Sequence, residues 1–316
     1  MGGSVLVTGG AGFIGSHIAE AYLAAGWRVT CLDDLSRGKR EQVPAGAEFV
    51  EADVRSSQAF EAIADGGFDV INQQAAQIDV RVSVDEPALD ASINLVGFAN
   101  VLGAAAAGKV KRVVFASSGG VVYGDPAVIP TPEPTANLPI SPYGVSKLAG
   151  EHYLRVLGTL HGFEGVAMRY SNVYGPRQDP KSEAGVVSIF VSRILQGQPL
   201  TIFGDGGQTR DYVFVRDVAR ANVLASTATV SRGDRLDVPA FNIATGRETT
   251  VNELARHVMR ALGREVPVEY APPRAGELQR SCLDIAKAGR DLDWQPEVSF
   301  DDGLTALASW FEGMAR

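Results

Sequence analysis

The sequence predicts an α/β fold built on a doubly wound parallel sheet, and three observations carry this prediction. Short β-branched and apolar runs alternate with helical patterns through the first half of the chain. A glycine-rich turn joins the first of these runs to the first helical stretch. The second half holds further strand and helix patterns without a repeat or a linker. Such alternation places parallel strands in one sheet with helices on both faces, and the second half adds a smaller, interleaved α/β lobe.

The first half of the chain supplies most of the predicted sheet. Strands are predicted at residues 4–8, 28–32, 48–51, 69–72 and 110–117. Helices are predicted at residues 17–25, 57–64 and 88–107, each between two of those strands. Because each helix returns the chain to the same end of the sheet, the strands are expected to be parallel.

A proline-rich segment at residues 124–142 is predicted to be a loop over a cleft, followed by a helix from about Tyr143. A strand is then predicted at residues 165–169 and an irregular stretch at residues 172–185. Further predicted strands are at residues 200–203, 212–215, 240–244 and 266–270, and further helices at residues 186–196, 218–228, 251–262 and 302–315. We predict a sheet domain at residues 1–172 with about 209–247, and the smaller lobe at about 173–208 and 248–316.

Composition and charge limit the classes of protein that this chain can represent. Of its 316 residues, 45% are hydrophobic and 21% charged, which is typical of a soluble globular chain. The net charge of −8 argues against a nucleic-acid partner, because no basic excess is available to neutralise phosphates. Without a signal-like start or an apolar run of membrane-spanning length, we expect a cytoplasmic protein with no membrane partner. The two cysteines and four histidines are scattered, so we predict no metal site.

The glycine-rich turn has the pattern G-x-x-G-x-x-G within residues 8–15, directly after a strand and at the start of a helix. Glycines let backbone amides approach a pyrophosphate, and a helix N-terminus favours the anion. A glycine triplet also occurs in purely structural turns, but the placement here favours a dinucleotide. The predicted cofactor contacts from this turn are Gly9, Gly12, Phe13, Ile14 and Gly15.

Acidic residues at the ends of the next strands indicate the kind of dinucleotide. Asp33 ends the second strand, where a carboxylate can bond the adenosine ribose hydroxyls. It favours NAD over NADP, because it would repel a 2′-phosphate, although three cations follow at positions 37, 39 and 40. Asp53 and Val54 can bracket the adenine, and the other predicted cofactor contacts are Asp34 and Ala75.

Tyr143 and Lys147 form a Y-x-x-x-K pair at the head of a predicted helix. Spacing of i to i+4 puts both side chains on one helical face. A nearby ammonium group favours the phenolate, so we expect Lys147 to lower the pKa of Tyr143 and make it an acid/base catalyst. Ser117 and Ser118 end the preceding strand, at the edge where open α/β sheets bind ligands.

These motifs give the chain a close resemblance to the extended short-chain dehydrogenases/reductases, and within them to the UDP-glucose 4-epimerase branch. The matching segments span nearly the whole chain: TGGAGFIG at 8–15, DDLSRGK at 33–39, QAAQ at 74–77, NLVG at 94–97, SSGGVVYG at 117–124, SPYGVSK at 141–147, RYSNVYGPRQDP at 169–180, GDGGQTRDYVFVRDV at 204–218 and PPRAGEL at 272–278. The resemblance implies a Rossmann-type NAD-binding domain and a nucleotide-sugar-binding lobe.

The resemblance also implies an activity and the residues that perform it. The family interconverts UDP-glucose and UDP-galactose by oxidising C4 with bound NAD and returning the hydride to the opposite face of a 4-keto sugar. Tyr143 would be the base, Lys147 would bond the nicotinamide ribose, and Ser118 would bond the reacting oxygen. An extra glycine after the serines leaves the choice between Ser117 and Ser118 open.

The resemblance assigns the UDP-sugar contacts to four further residues. Asn172 would lie beside the sugar, and Arg210 and Arg274 would hold the diphosphate, which suits guanidinium forks. Ser281 stands where a large side chain would exclude a 2-acetamido group, so UDP-N-acetylhexosamines are expected as additional substrates. Ser281 could instead face away from the sugar, since a one-residue slip reverses the face of an extended segment. Asn94 is expected to support the sheet near the cofactor.

Other activities on this fold remain open at this point. Related 4,6-dehydratases carry an Asp-Glu pair after the serine, and Gly119-Gly120 cannot replace it. A UDP-glucuronate 4-epimerase is an alternative, with Arg177, Lys181 or Arg280 as the cation for the carboxylate. A non-catalytic NAD sensor is a second alternative. A homodimer is expected, joined through the helices at 88–107 and after Tyr143.

Overall fold

Parallel strands form the centre of the molecule. The computed structural model describes residues 2–180, 185–231, 233–274 and 278–314. Its strands are β1 (Ser4–Thr8), β2 (Arg28–Asp33), β3 (Glu48–Glu51), β4 (Val70–Gln73), β5 (Arg112–Ser118), β6 (Glu164–Tyr170), β7 (Asn172–Tyr174), β8 (Leu200–Phe203), β9 (Thr209–Arg210), β10 (Tyr212–Phe214), β11 (Ala240–Ile243), β12 (Thr249–Thr250) and β13 (Val268–Ala271).

Seven of these strands form one sheet in the order β11-β6-β5-β4-β1-β2-β3, and every neighbouring pair is parallel. The chain leaves β1 toward β2 on one side and later returns to β4 on the other. Ligands of open α/β sheets bind at the carboxyl ends of the strands beside such a reversal. The predicted α/β doubly wound sheet is confirmed.

Helices cover both faces of this sheet. They are α1 (Phe13–Ala24), α2 (Ser57–Asp65), α3 (Val80–Asp85), α4 (Pro87–Ala91), α5 (Phe98–Ala107), α6 (Gly119–Val122), α7 (Pro142–His161), α8 (Val186–Leu195), α9 (Val215–Thr227), α10 (Val251–Leu262), α11 (Ala286–Leu292) and α12 (Phe300–Met314). Side chains alternate between the faces of β1, as in any strand. Val5 and Val7 pack with α1 and α9, whereas Leu6 packs with α2 and α5.

A third core lies outside the large sheet. It joins β8, β10, α8, α10 and α12 through buried aromatic and aliphatic side chains such as Phe190, Leu254 and Leu304. Three small sheets accompany it, formed by the pairs β10–β7, β12–β9 and β13–β8. The pair β10–β7 begins at Asn172, so the stretch predicted to be irregular opens with a strand instead. The helix α11 was not predicted either, and it packs against β11.

The helical run Pro87–Ala107 differs most from its prediction. By length and composition it could cross a membrane, contrary to our expectation that no such run exists. It is interrupted by a π-helical turn at Ser92–Gly97, and it packs Phe98 and Val101 into the core. It also carries a fully buried carboxylate, Asp90. We therefore interpret it as a core helix.

Candidate active site

The glycine-rich turn between β1 and α1 leaves backbone amides open to a ligand. Gly9 has a φ of +64°, a conformation that favours glycine. A Cβ on Gly15 would lie 2.1 Å from the Gly9 carbonyl oxygen, so α1 approaches the turn too closely for a side chain. Gly12 caps α1 without a side-chain hydrogen bond. The first helical residues, Phe13 and Ile14, therefore present N–H groups that suit the pyrophosphate of a dinucleotide.

Asp33 ends β2 beside this turn. Its Oδ2 accepts the N–H of Ala11 at 3.0 Å, and its Oδ1 accepts the N–H of Leu35 at 2.9 Å. Burial raises the pKa of this carboxyl, and the two backbone donors act in the opposite direction. Asp34 is exposed and bonds within its own turn, and Arg40 stacks over a phenylalanine ring. Asp33 thus braces the glycine-rich turn at the place where the ribose contact is predicted.

The other predicted cofactor residues follow β3 and β4. Val54 is buried, whereas the Asp53 carboxylate is bonded to the backbone N–H of Arg55 at 2.8 Å and to its guanidinium. Hydrogen bonding to Arg55 lowers the pKa of Asp53. The N–H of Ala75 donates to Thr8 Oγ1 at 3.2 Å, which places Ala75 directly against the turn. An adenine contact by Asp53 stays a prediction, because the carboxylate already has a cationic partner.

Tyr143 and Lys147 lie on the first turns of α7. The helix starts at a proline, and its capping residue Ser141 accepts the N–H of Gly144 at 3.1 Å. Lys147 Nζ lies 5.7 Å from the centre of the Tyr143 ring and donates to the Ala116 carbonyl at 2.9 Å. The structure therefore brings the predicted pair together at the carboxyl end of β5.

The electrostatics of this pair differ from the expectation. Burial raises the pKa of the Tyr143 phenol above its ordinary value, and the Asp90 carboxylate raises it further. Burial lowers the pKa of Lys147 to about 8, and Asp90 acts in the opposite direction. The net shift of the Tyr143 pKa is therefore upward, against the expected direction, with burial and Asp90 as its causes, and a lowering by Lys147 stays a prediction.

The two serines at the end of β5 have different surroundings. Ser117 is buried and donates to Glu151 Oε1 at 2.5 Å. Glu151 is also held by the fully buried Arg169, with separations of 3.0 and 2.7 Å. Successive strand residues face opposite sides, so Ser118 points away from this ion pair. Ser118 is half-buried and begins α6 without capping it through its side chain. This geometry favours Ser118 for the substrate contact.

The predicted substrate residues Asn172, Arg210 and Arg274 line one cavity of about 380 Å³. The Arg210 guanidinium donates to the carbonyls of Thr209 and Leu278 at 2.7 and 2.9 Å. The Arg274 guanidinium lies 3.9 Å from the centre of the Phe203 ring. Residues from three distant parts of the chain thus bring two guanidinium groups and an amide to one cavity.

Ser281 lies in an extended segment beside the proline-rich loop. The next residues pair with that loop, since Thr131 N–H donates to the Cys282 carbonyl at 2.9 Å and bridges to Leu283. Leu283 packs on Gly119, where a Cβ would lie 2.4 Å from a Leu283 methyl carbon. Side chains two residues apart in a regular extended segment share a face, so we predict that Ser281 faces the same side as Leu283.

The cations considered for a sugar carboxylate have other partners. Arg177 bonds Ser16 and forms an ion pair with Glu20. Arg280 forms an ion pair with Glu248 at 2.5 Å. The third cation, at position 181, lies outside the described residues.

Sequence reasoning missed two features of the site. One is the Phe203 ring, which lines the same cavity as the arginines; the neighbouring GDGGQTRDYV motif marks its surroundings without indicating the ring. The other is Asp90, which is fully buried next to α7. The sequence did contain a signal for it, an acid four residues before Asn94 in an otherwise apolar helical run. An acid in such a run is buried with the helix, and a buried carboxylate requires hydrogen-bond donors nearby.

Known proteins share this fold and much of this sequence. The NAD dependent epimerase/dehydratase family model matches residues 5–244. The UDP-glucose 4-epimerase of Mycolicibacterium smegmatis is 43% identical over 316 residues, covering 98% of this chain and 99% of that protein. The structure of the Thermotoga maritima UDP-glucose 4-epimerase with UDP-glucose is 42% identical, with a TM-score of 0.94 over 99% of this chain and 100% of that one. The Thermus thermophilus UDP-glucose 4-epimerase with NAD is 44% identical, with a TM-score of 0.91 over 98% of this chain and 99% of that one.

Proposed function

The chain belongs to the NAD-dependent epimerase/dehydratase family, and on that premise we propose that it is an NAD-dependent isomerase that interconverts UDP-glucose and UDP-galactose at C4. The observation that carries the proposal is the Tyr143–Lys147 pair at the end of β5, beside a serine that is followed by two glycines. Such a site can move a proton at the sugar hydroxyl but holds no acid at positions 119 and 120 to eliminate water.

NAD fits the residues at the β1–α1 turn. Close contacts at Gly9 and Gly15 leave no room for a Cβ there, and the start of α1 offers its N–H groups to the pyrophosphate. Asp33 lies where it can bond the ribose hydroxyls and repel a 2′-phosphate. NAD bound there would supply a hydride acceptor and donor for C4 of the sugar, so the reaction would have no net redox change.

The chain's own residues orient the sugar and move its proton. Tyr143 accepts the proton of the 4-hydroxyl through its phenolic oxygen and later returns it. Lys147, fixed by the Ala116 carbonyl, supplies the positive charge beside the phenol. Ser118 holds the reacting oxygen. Because burial opposes ionisation of Tyr143, the positive charges around the site must favour the phenolate during turnover.

The cavity of Asn172, Arg210 and Arg274 is proposed to hold the rest of the UDP-sugar. The guanidinium groups bind the diphosphate, and Asn172 lies beside the sugar. The ion pairs of Arg177 and Arg280 disfavour the glucuronate alternative, because neither cation is available without breaking its pair. The small Ser281 side chain supports UDP-N-acetylhexosamines as additional substrates.

An apolar stripe on α7 supports a homodimer. Val145, Tyr153, Val156 and Leu160 are exposed on α7. Val84 on α3, and Leu89 and Val96 on the helical run Pro87–Ala107, are exposed as well. Tyr153, Val156 and Leu160 have the spacing i, i+3 and i+7, and Val145 lies about two turns earlier on the same face. A second copy of the chain with the same stripe would cover it. Val156→Glu should reduce the mass in solution from dimer to monomer, and an unchanged mass would contradict this interface.

A panel of UDP-sugars tests the proposed function. Purified protein is incubated with UDP-glucose, UDP-galactose, UDP-glucuronate and UDP-N-acetylgalactosamine, and the products are identified. We expect epimerisation of the two hexoses and a transient absorbance of reduced nicotinamide on substrate addition. An NAD sensor would show neither, and exclusive turnover of UDP-glucuronate would favour the alternative.

A further inference from the structure

Asp90 is a buried carboxylate that the proposed mechanism does not use. It lies on α4 with no exposed surface. Its Oδ1 accepts hydrogen bonds from Gln77 Nε2 at 3.0 Å and Asn94 Nδ2 at 2.8 Å. Its Oδ2 accepts the hydroxyl of Ser146 at 2.6 Å. Three donors around two oxygens are the arrangement that an ionised carboxylate requires.

These partners connect Asp90 to both parts of the active site. Ser146 lies on α7 directly before Lys147 and one turn after Tyr143. Gln77 lies two residues beyond Ala75, in the segment that packs against the glycine-rich turn. The π-helical turn at Ser92–Gly97 places Asn94 so that it also bonds the backbone N–H and carbonyl of Gln77, each at 3.0 Å. The carboxylate therefore fixes α7 relative to the segment at residues 75–77, which packs against the glycine-rich turn.

The charge of Asp90 also acts on the catalytic pair. It raises the pKa of both Tyr143 and Lys147, while burial raises the first and lowers the second. Lys147 is buried and bonds a neutral carbonyl, and the negative charge of Asp90 favours its ammonium form. A buried cation without a compensating anion would tend to lose its proton.

Several other ionisable groups on the packed elements are paired, hydrogen-bonded or exposed. Glu151 on α7 is paired with Arg169. Asp79 caps α3 through two backbone N–H groups. Three further groups on and after α3 are exposed, where solvent and salt screen their charges: Arg81, Asp85 and Glu86.

We propose that Asp90 is a positioning residue for the proposed epimerase reaction, and that its buried charge sets the pH range in which Tyr143 and Lys147 work together. The proposal rests on the proposed function, since it concerns the same acid/base pair. It assigns the charge, and not only the hydrogen bonds, a role in turnover.

Asp90→Asn separates the charge from the hydrogen bonds. The amide oxygen can still accept from Gln77 and Asn94, and the amide nitrogen can donate to the Ser146 hydroxyl. Without the carboxylate, the pKa of Tyr143 and that of Lys147 both fall. Both limbs of the pH profile of kcat/KM should therefore move to lower pH by about 1, the lower end of the effect of a neighbouring charge.

Ser146→Ala is the matched control, because it removes one of the same hydrogen bonds and keeps the charge. Its rate should fall by no more than a few fold, with both limbs in place. A second readout is the ultraviolet titration of tyrosinate. The difference between the parent and Tyr143→Phe gives the titration of the phenol at 143 with the carboxylate present. The difference between Asp90→Asn and Asp90→Asn/Tyr143→Phe gives it with the carboxylate absent. The phenol at 143 should titrate at lower pH when Asp90 is neutral.

The proposal would be overturned if Asp90→Asn folds and both the limbs of its pH profile of kcat/KM and its tyrosinate titration stay where they are in the parent. Asp90→Ser, a smaller neutral variant, replaces it if the asparagine variant does not fold. Failure of both neutral variants to fold would also overturn it, because the carboxylate would then serve the fold itself. If the parent shows no epimerisation, the proposed function fails, and the tyrosinate titration still decides whether Asp90 controls Tyr143.

Discussion

The cofactor turn and the substrate cavity are built in different ways. The turn is one continuous segment, residues 8–15, whose shape depends on local backbone geometry and on glycines that no side chain can replace. The cavity takes Asn172, Arg210 and Arg274 from segments tens of residues apart, brought together by small strand pairs. The first kind of site is specified by neighbouring residues, and the second depends on long-range packing. The Tyr143–Lys147 pair belongs to the first kind.

Tyr143→Phe gives the largest expected effect. The change removes only the phenolic oxygen from a locally specified site, so the fold and NAD binding should persist. Turnover of UDP-galactose should fall at least roughly a hundredfold, the lower end for loss of acid/base catalysis. The measurement is kcat together with the NAD content of the purified variant. A rate close to the parent's would show that another group takes the proton.

Gly15→Ala tests how strictly the turn depends on its backbone. The new Cβ would meet the Gly9 carbonyl oxygen at 2.1 Å, so α1 or the turn must shift. Overpacking of this kind costs about 1–3 kcal/mol, and we expect NAD affinity to fall roughly 10- to 100-fold. Gly313→Ala is the matched control, since a Cβ there meets no atom within 4 Å. Equal NAD titrations of the two variants would contradict a tightly packed turn.

The same contrast explains how much the sequence could predict. The β1–α1–β2 unit, its glycines and Asp33 follow from local patterns, and the structure brings them together as expected. The strands β7, β9 and β12 were missed because they are only two or three residues long, and their pairing is decided by distant partners. The pKa of Tyr143 was misjudged because a spacing shows the nearby Lys147 but not the burial of the phenol or the Asp90 carboxylate.

Arg210→Ala and Arg274→Ala test whether the distant segments form one diphosphate site. A hydrogen bond to a charged group contributes about 1.5–3 kcal/mol, so each change should raise KM for UDP-galactose by about tenfold or more. The kcat should change little, because the contact is the same in the ground state and in the transition state. Arg280→Ala, which removes an ion pair with Glu248, is the control and should leave KM unchanged. A fall in kcat alone would place the two arginines elsewhere in the reaction.

Ser281→Tyr has the smallest expected effect, a change of selectivity. We expect kcat/KM for UDP-N-acetylgalactosamine to fall about tenfold relative to UDP-galactose, within the range by which a pocket distinguishes substrates of different size. The kcat/KM for each of the two UDP-sugars is measured in the parent and in the variant. Rejection of UDP-N-acetylgalactosamine by the parent, or an unchanged ratio in the variant, would remove Ser281 from the sugar pocket.

The face of Ser281 decides this prediction, and it depends on the long-range pairing of its segment. The Cys282 sulfur lies 3.5 Å from Asp211, on one side of the extended chain. The Leu283 side chain packs against Gly119, at the start of α6. Alternation along the segment predicts that Ser281 shares the face of Leu283, and a tyrosine ring at 281 would then extend toward the end of β5, where the sugar is proposed to bind. A shift of the pairing with Thr131 by one residue would turn the ring away. Leu283→Ala, which loosens this packing, should therefore weaken the discrimination by Ser281→Tyr in the double variant.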